Sequence, residues 1–150
     1  MIHFVGAGPG AVDLITVRGQ KLLETADQII YAGSLVNPQL LACAKKDCRI
    51  LDSAGMTLEA VIAAMEEGEG QGWMTVRLHT GDPSVYGAIR EQMDILSQKG
   101  LAYDVVPGVS SFCAAAASLQ AEYTLPGISQ SVIITRMEGR TPVPDKQKIA

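Results

Sequence analysis

The sequence Arg77-Leu-His-Thr-Gly-Asp-Pro-Ser-Val-Tyr-Gly87 predicts the end of a strand, a tight turn and the start of a helix. The residues at 75–78 are mostly β-branched or apolar, as in a buried strand. Gly81 allows a sharp turn. Asp82 and Pro83 are typical of a helix N-terminus, because a carboxylate accepts free backbone N–H groups there and proline has none to lose. Open α/β sheets bind their ligands at such strand ends.

Strand-like segments alternate with helical patterns on both sides of this stretch. The predicted strands are 2–5, 28–31, 49–51, 75–78 and 103–106. The helical patterns lie at 14–23 with Asp13 as a possible cap, at 39–44, after Thr57, after Asp82, and from Ser110 or Ser111 to about Leu119. This order predicts an α/β fold, with a mostly parallel sheet and helices on both faces.

The alternation of strand and helix patterns ends after Leu119. We expect an N-terminal α/β domain over residues 1–120 and an irregular linker over 121–130. Ser131 to Thr135 is β-branched and predicts a strand, whereas the residues after it show no apolar periodicity. The segment 131–150 is therefore expected to be the first strand and tail of an incomplete second α/β domain.

Composition narrows the class of partner. The chain has 150 residues, 47% of them hydrophobic, and a net charge of −4. Its longest basic run is Lys45-Lys46, which argues against nucleic acid or an anionic membrane as a partner. Neither a secretory leader nor an apolar run of about 20 residues is present, so we expect a cytoplasmic protein with a small-molecule ligand.

The cysteines and histidines do not form a metal-binding pattern. Cys43, Cys48 and Cys113 are an odd number without a C-x-x-C pair, and His3 and His79 are far apart in sequence. We expect neither a disulfide nor a metal, and buried inert thiols instead.

Glycine-bearing loops follow three of the predicted strands. They lie at 6–10, at 80–82, and at Pro107-Gly108, which leads into Ser110 and Ser111. Because parallel strands end at the same edge of a sheet, these loops are expected to line one cleft.

The first loop leaves more than one function open. Residues 6–11 fit the relaxed dinucleotide pattern G-x-G-x-x-G/A, which would suggest a nicotinamide oxidoreductase. The second strand, however, ends in Tyr31-Ala-Gly33 instead of the acidic residue that holds a ribose, and Pro9 removes a backbone donor from the loop. A non-catalytic α/β binding module remains a further alternative.

Longer blocks of sequence resemble one enzyme family. GAGPG, LITVRGQ, IIYAGSLVNP, DSAGMTLE, HTGDPSVYGAI, VVPGVSSF and VIITRMEGRTPVP are similar to the tetrapyrrole methylases of cobalamin synthesis, over residues 2–144. Within that family, YAGSLVNP, HTGDPSVYG and TRMEGRTPVP resemble the branch that methylates C-11 of precorrin-4 or cobalt-precorrin-4.

The resemblance implies methyl transfer from S-adenosyl-methionine to a ring carbon, by a homodimeric enzyme of two α/β domains with further adenine contacts in the second. Carried over by position, the implied cofactor contacts are Pro9, Thr80, Gly81, Asp82, Val85, Ser110 and Ser111. Tyr86, with Gly8 and Gly10, is the candidate contact to the tetrapyrrole, and Arg18, Arg77 and Arg90 are possible partners of its carboxylates. No catalytic acid, base or nucleophile is assigned.

Overall fold

The computed structural model describes residues 1–138 and 142–147. Its strands are β1 (Ile2–Gly6), β2 (Gln28–Tyr31), β3 (Arg49–Asp52), β4 (Thr75–His79) and β5 (Tyr103–Val106). Its α-helices are α1 (Val17–Thr25), α2 (Leu58–Gly70), α3 (Ile89–Gln98) and α4 (Ser111–Ser118). Short 3-10 turns lie at Val12–Leu14, Gly33–Leu35, Pro38–Cys43, Ser53–Gly55 and Asp145–Gln147.

The five strands form one parallel sheet in the order β3-β2-β4-β1-β5. The predicted α/β class with a parallel sheet is confirmed. The strand order differs from the 3-2-1-4-5-6 order of the dinucleotide-binding fold, because β4 separates β1 from β2. The strands whose loops carry the glycines, β4, β1 and β5, are direct neighbours.

Apolar side chains cover both faces of the sheet. On one face, Leu23 of α1 and Leu40 pack with Val5 and Ile29. On the other face, α2 and α3 pack on a cluster that comprises Ile2, Phe4, Ile30, Val61, Ile62, Ala64, Met65, Ile89 and Leu96. Right-handed crossovers explain this split, since the chain moves one way across the sheet from β1 to β3 and the opposite way from β3 to β5.

Threonine caps begin the first two helices. Thr57 Oγ1 accepts the backbone N–H of Ala60 at 3.2 Å, which confirms the predicted cap of α2. The expected cap of α1 was wrong, because Thr16 Oγ1 accepts from Gly19 N at 3.1 Å and Asp13 lies in the preceding 3-10 turn.

The helix predicted to begin at Asp82 and Pro83 begins at Ile89 instead. The intervening residues form a turn, in which Tyr86 and Ala88 adopt left-handed backbone angles with φ of 57° and 50°. Such angles cannot continue a right-handed helix. The turn is tight, since a Cβ on Gly87 would lie 2.1 Å from the Pro83 carbonyl oxygen.

The chain divides into two compact units, Met1–Ala115 and Ala116–Ala150. In the second unit, Leu125 and Ser129 pair across a turn, and residues 130–138 have no regular secondary structure. The strand predicted at 131–135 is therefore not formed. A strand needs a hydrogen-bonding neighbour, and the five described strands pair only with one another.

Part of the family block at 132–144 lies outside the described residues, namely 139–141, as do residues 148–150. The domain boundaries expected from the sequence, at 120 and 130, stay predictions.

Candidate functional site

The three glycine loops meet at the carboxyl edge of the sheet, as the sequence predicts. The backbones of Gly8 and Gly81 exchange two hydrogen bonds, of 3.2 Å and 2.8 Å. The neighbouring strands β1 and β4 lead to helices on opposite faces, α1 and α3. The carboxyl edge of the strands, where these loops lie, is where open α/β sheets bind ligands.

Glycine is needed here for contact between the loops. A Cβ on Gly6 would lie 2.5 Å from both Gly108 Cα and the Gly81 carbonyl oxygen, and one on Gly108 would lie 2.1 Å from that same oxygen. No side chain fits at either position. Sequence reasoning assigned glycine to turns and ligand approach, and missed that glycines from two different loops pack on each other.

Asp82 joins the second loop to the third. Its Oδ1 accepts the backbone N–H of Ser84 at 2.8 Å and also the Ser84 hydroxyl, while Oδ2 accepts the N–H of Gly108 at 2.9 Å. Burial raises the pKa of this carboxyl, but the hydrogen bonds from Ser84 and Gly108 outweigh it and leave the pKa below its ordinary value. Asp82 is therefore an ionised link between two loops.

A cavity of about 390 Å³ lies beside these loops, within the size range of small-molecule sites. Its lining comes from the segment after β2, from β4 and the turn after it, from α3, and from the start of α4. The lining residues are Ala32, Leu35, Arg77, His79, Thr80, Gly81, Asp82, Val85, Tyr86, Gly87, Ala88, Gln92, Ser110, Ser111 and Phe112.

The cavity brings together most of the residues singled out from the sequence. Six of the seven expected cofactor contacts line it, namely Thr80, Gly81, Asp82, Val85, Ser110 and Ser111. Tyr86, the expected tetrapyrrole contact, also lines it and is 59% exposed.

Pro9, Gly8 and Gly10 do not line this cavity. Pro9 is partly buried in the first loop, between Gly8, which pairs with Gly81, and Gly10, whose carbonyl accepts from Asn37 Nδ2 at 2.7 Å. The first loop thus borders the cavity only through its link to the second.

Arg77 was one of three arginines expected as possible partners of carboxylates, but its burial was not predicted from the sequence. It is 7% exposed in the middle of β4 and lines the cavity. Its Nε donates to Gln92 Oε1 and its Nη1 to the Ile30 carbonyl, both at 3.2 Å. Burial lowers the pKa of Arg77 to about 10, so the guanidinium stays cationic at neutral pH.

His79 lies two residues further along the same face of β4. It is 4% exposed and stacks on Phe4 at 6.0 Å between ring centroids. Burial, with a smaller contribution from the charge of Arg77, lowers the pKa of His79 to about 3, so the ring is neutral. Two polar residues at alternate positions of a central strand were the signal in the sequence, because they share one buried face.

The other two candidate arginines do not line this cavity. Arg90 is 82% exposed in its side chain and pairs with Asp94 at 2.9 Å, and Arg18 is exposed on α1. Of the three arginines, only Arg77 is positioned to meet a ligand in the cavity.

Within residues 1–138 and 142–147, no three His, Cys, Asp or Glu side chains cluster as metal ligands would. None of the described helices has the length and apolarity needed to cross a membrane.

The whole chain, residues 1–150, matches the family model of the Tetrapyrrole (Corrin/Porphyrin) Methylases. The chain belongs to the tetrapyrrole methylase family. A cobalt-precorrin-4 C(11)-methyltransferase from Methanocaldococcus jannaschii is 59% identical to it, over 99% of this chain and 57% of the relative. The chain thus spans about 57% of the length of that relative.

Solved tetrapyrrole methylases share the fold described above. The X-ray structure of a cobalt precorrin-4 methyltransferase of cobalamin biosynthesis matches with a TM-score of 0.93 and 51% identity, over 98% of this chain and 62% of that one. A uroporphyrin-III C-methyl transferase from Thermus thermophilus, complexed with S-adenosyl-homocysteine, matches with a TM-score of 0.65 and 31% identity, over 77% and 47%.

Proposed function

We propose that this chain is the S-adenosyl-methionine-binding part of an enzyme that methylates C-11 of precorrin-4 or cobalt-precorrin-4 in cobalamin biosynthesis. The observation that carries the proposal is the shared cavity, which collects six residues expected to contact the cofactor from two separate loops. The relatives support the choice of substrate by their names.

The residues of the cavity fit such a cofactor. Close backbone contact at Gly6 and Gly108 and the hydrogen bonds of Asp82 connect the three loops. Their backbone groups are therefore held in place before a ligand binds. S-adenosyl-methionine, when bound, would supply a methyl group on a sulfonium sulfur, and the neutral thioether S-adenosyl-homocysteine would be the leaving group. Thr80, Gly81 and Ser110 would hold it, together with Asp82, whose negative charge suits a cationic sulfur.

No protein nucleophile is required, because the tetrapyrrole carbon is itself electron-rich. The task left to the protein is to align the two reactants and exclude water, and positioning alone can contribute several kcal/mol, up to about 10. Tyr86, at the rim of the cavity, offers an aromatic face to the macrocycle.

The nicotinamide alternative is the less favoured one. No acidic residue follows Tyr31 at the end of β2. In addition, β4 lies between β1 and β2 in this sheet, whereas β1 and β2 are neighbours in the dinucleotide-binding fold. The ribose and pyrophosphate contacts of that fold depend on the β1 loop lying next to the end of β2.

Calorimetric titration of the chain with S-adenosyl-homocysteine and, separately, with NAD tests the proposal. We expect weak but measurable binding of S-adenosyl-homocysteine and a lower affinity for NAD. Equal or tighter binding of NAD would remove the methylase assignment for this cavity.

A homodimer, a cytoplasmic location and a tetrapyrrole partner belong to the same proposal. Analytical ultracentrifugation of the chain measures the first of these directly. A concentration-independent monomer would contradict a dimer formed by these residues.

A further inference from the structure

A buried cation without an anion lies in the wall of the cavity. Arg77 is 7% exposed, and none of the carboxylates in the described part of the chain forms an ion pair with it. Its two hydrogen-bond partners, Gln92 and Ile30, contribute neutral oxygens. Charges taken out of water are normally paired, because the loss of hydration is otherwise uncompensated.

One end of the guanidinium remains available. Nη2 donates to none of the described residues, and it is not one of the unpartnered polar atoms that are sealed from solvent. Gln92 and the Ile30 carbonyl engage the other two nitrogens and so restrict the orientation of the planar group. The side chain is therefore oriented before any ligand arrives.

No carboxylate in the lining of the cavity forms an ion pair with Arg77. Asp82 is the other charged residue in the lining at neutral pH, and both of its oxygens are already engaged by Ser84 and Gly108. His79 is neutral. A ligand that enters beside Arg77 thus meets a cation that none of the described carboxylates pairs with.

We propose that Arg77 is the anchor for a carboxylate of the ligand bound in this cavity. The N–H groups of Nη2 can donate a charge-assisted hydrogen bond to a carboxylate oxygen. The inference rests on the proposed function, which offers two sources of that carboxylate: the amino-acid end of S-adenosyl-methionine and the carboxylate side chains of the tetrapyrrole.

Two ligand pairs distinguish the sources. The first is S-adenosyl-homocysteine and its decarboxylated analogue, and the second is a uroporphyrin and its methyl ester. Binding of each is measured by calorimetry to the unaltered chain and to Arg77→Met, which keeps much of the volume and loses the charge. Arg90→Met is the matched control, since it removes the same charge from an exposed arginine that is paired with Asp94.

In Arg77→Met, we expect affinity for one carboxylate-bearing ligand to fall roughly tenfold or more, as for loss of a charge-assisted hydrogen bond. Binding of its decarboxylated or esterified partner should change little, and Arg90→Met should bind like the unaltered chain. The pair that responds identifies the source. If a folded Arg77→Met binds both carboxylate ligands with the same affinity as the unaltered chain does, then Arg77 only bridges Ile30 and Gln92. That result would overturn the proposal.

A measurement on the unaltered chain covers the case in which Arg77→Met does not fold. The side-chain ¹⁵N–¹H signals of Arg77, assigned by their disappearance in Arg77→Lys, should shift with one carboxylate ligand and not with its neutral partner. Unchanged signals with both carboxylate ligands would overturn the inference. If S-adenosyl-homocysteine does not bind the unaltered chain at all, the proposed function fails, while the uroporphyrin pair still tests Arg77.

Discussion

At the scale of single residues, Asp82 links two loops with both of its oxygens. An asparagine has one acceptor oxygen, so Asp82→Asn leaves either Ser84 N–H or Gly108 N–H without its partner. We expect Asp82→Asn to lower the free energy of unfolding by about 1 kcal/mol and Asp82→Ala by more, since a lost hydrogen bond of this kind costs about that much. The helix-cap role expected from the sequence predicted almost no loss for asparagine. Urea denaturation measures the difference.

The same residue predicts a dependence of stability on pH. The pKa of Asp82 is lower in the folded chain than in the unfolded chain, where it is about 4. Its contribution to stability is therefore complete above pH of about 4 and is lost as the pH falls through the folded value. The gap in unfolding free energy between the unaltered chain and Asp82→Asn should narrow below that pH. Asp13→Asn, at an exposed carboxylate outside the cavity, is the matched substitution measured beside it.

Cofactor affinity of the Asp82 variants separates two roles of this residue. If Asp82 shapes the cleft, both variants should bind S-adenosyl-homocysteine more weakly than the unaltered chain. Unchanged affinity would mean that Asp82 serves the loops alone.

At the scale of elements, helix α3 begins late because of the turn before it. Ala88, its N-cap, has a φ of 50°, an angle that costs an alanine about 1 kcal/mol and a glycine almost nothing. Ala88→Gly should therefore be neutral or stabilising. Ala63→Gly, at an exposed position inside α2, should destabilise by about 1 kcal/mol. Thermal unfolding of both variants compares the two.

The two variants should therefore differ in their change in stability. Glycine gains entropy in the unfolded chain at both positions, so that cost is common to the two variants. Similar destabilisation of both would contradict a left-handed backbone at Ala88.

At the scale of the whole molecule, the chain spans about 57% of its relative from Methanocaldococcus jannaschii. We expect the chain alone to bind S-adenosyl-homocysteine weakly and to transfer no measurable methyl group, because the alignment of two reactants depends on contacts around both. Extending the chain by the part of that relative that it does not cover should restore transfer. Incorporation of radioactive methyl groups into the tetrapyrrole, by the chain and by its extended form, measures this.

A matched control for that assay is the uncovered part of the relative on its own, which should be inactive alone. Turnover by the 150-residue chain at the rate of the extended form would refute the idea that both parts form the site.

Sequence patterns alone were sufficient for the α/β class, the five strands and the meeting of three glycine loops. The physical reason is that these features depend on local signals: apolar strands of four to five residues, glycines at their ends, and a threonine cap such as Thr57. The family blocks were likewise readable without a structure, because they are contiguous in the chain.

Tertiary structure decided the rest. The start of α3 at Ile89 follows from a turn with left-handed backbone angles, which the residues Asp82 and Pro83 did not predict. The segment at 131–135 lacks the hydrogen-bonding neighbour that would make it a strand. The burial of Arg77 depends on Ile30 and Gln92, which come from two other elements. The alternation of β4 could indicate that Arg77 and His79 share a buried face, but partner geometry arises only when distant parts of the chain pack together. The lack of an anion beside Arg77 could therefore be seen only in the structure.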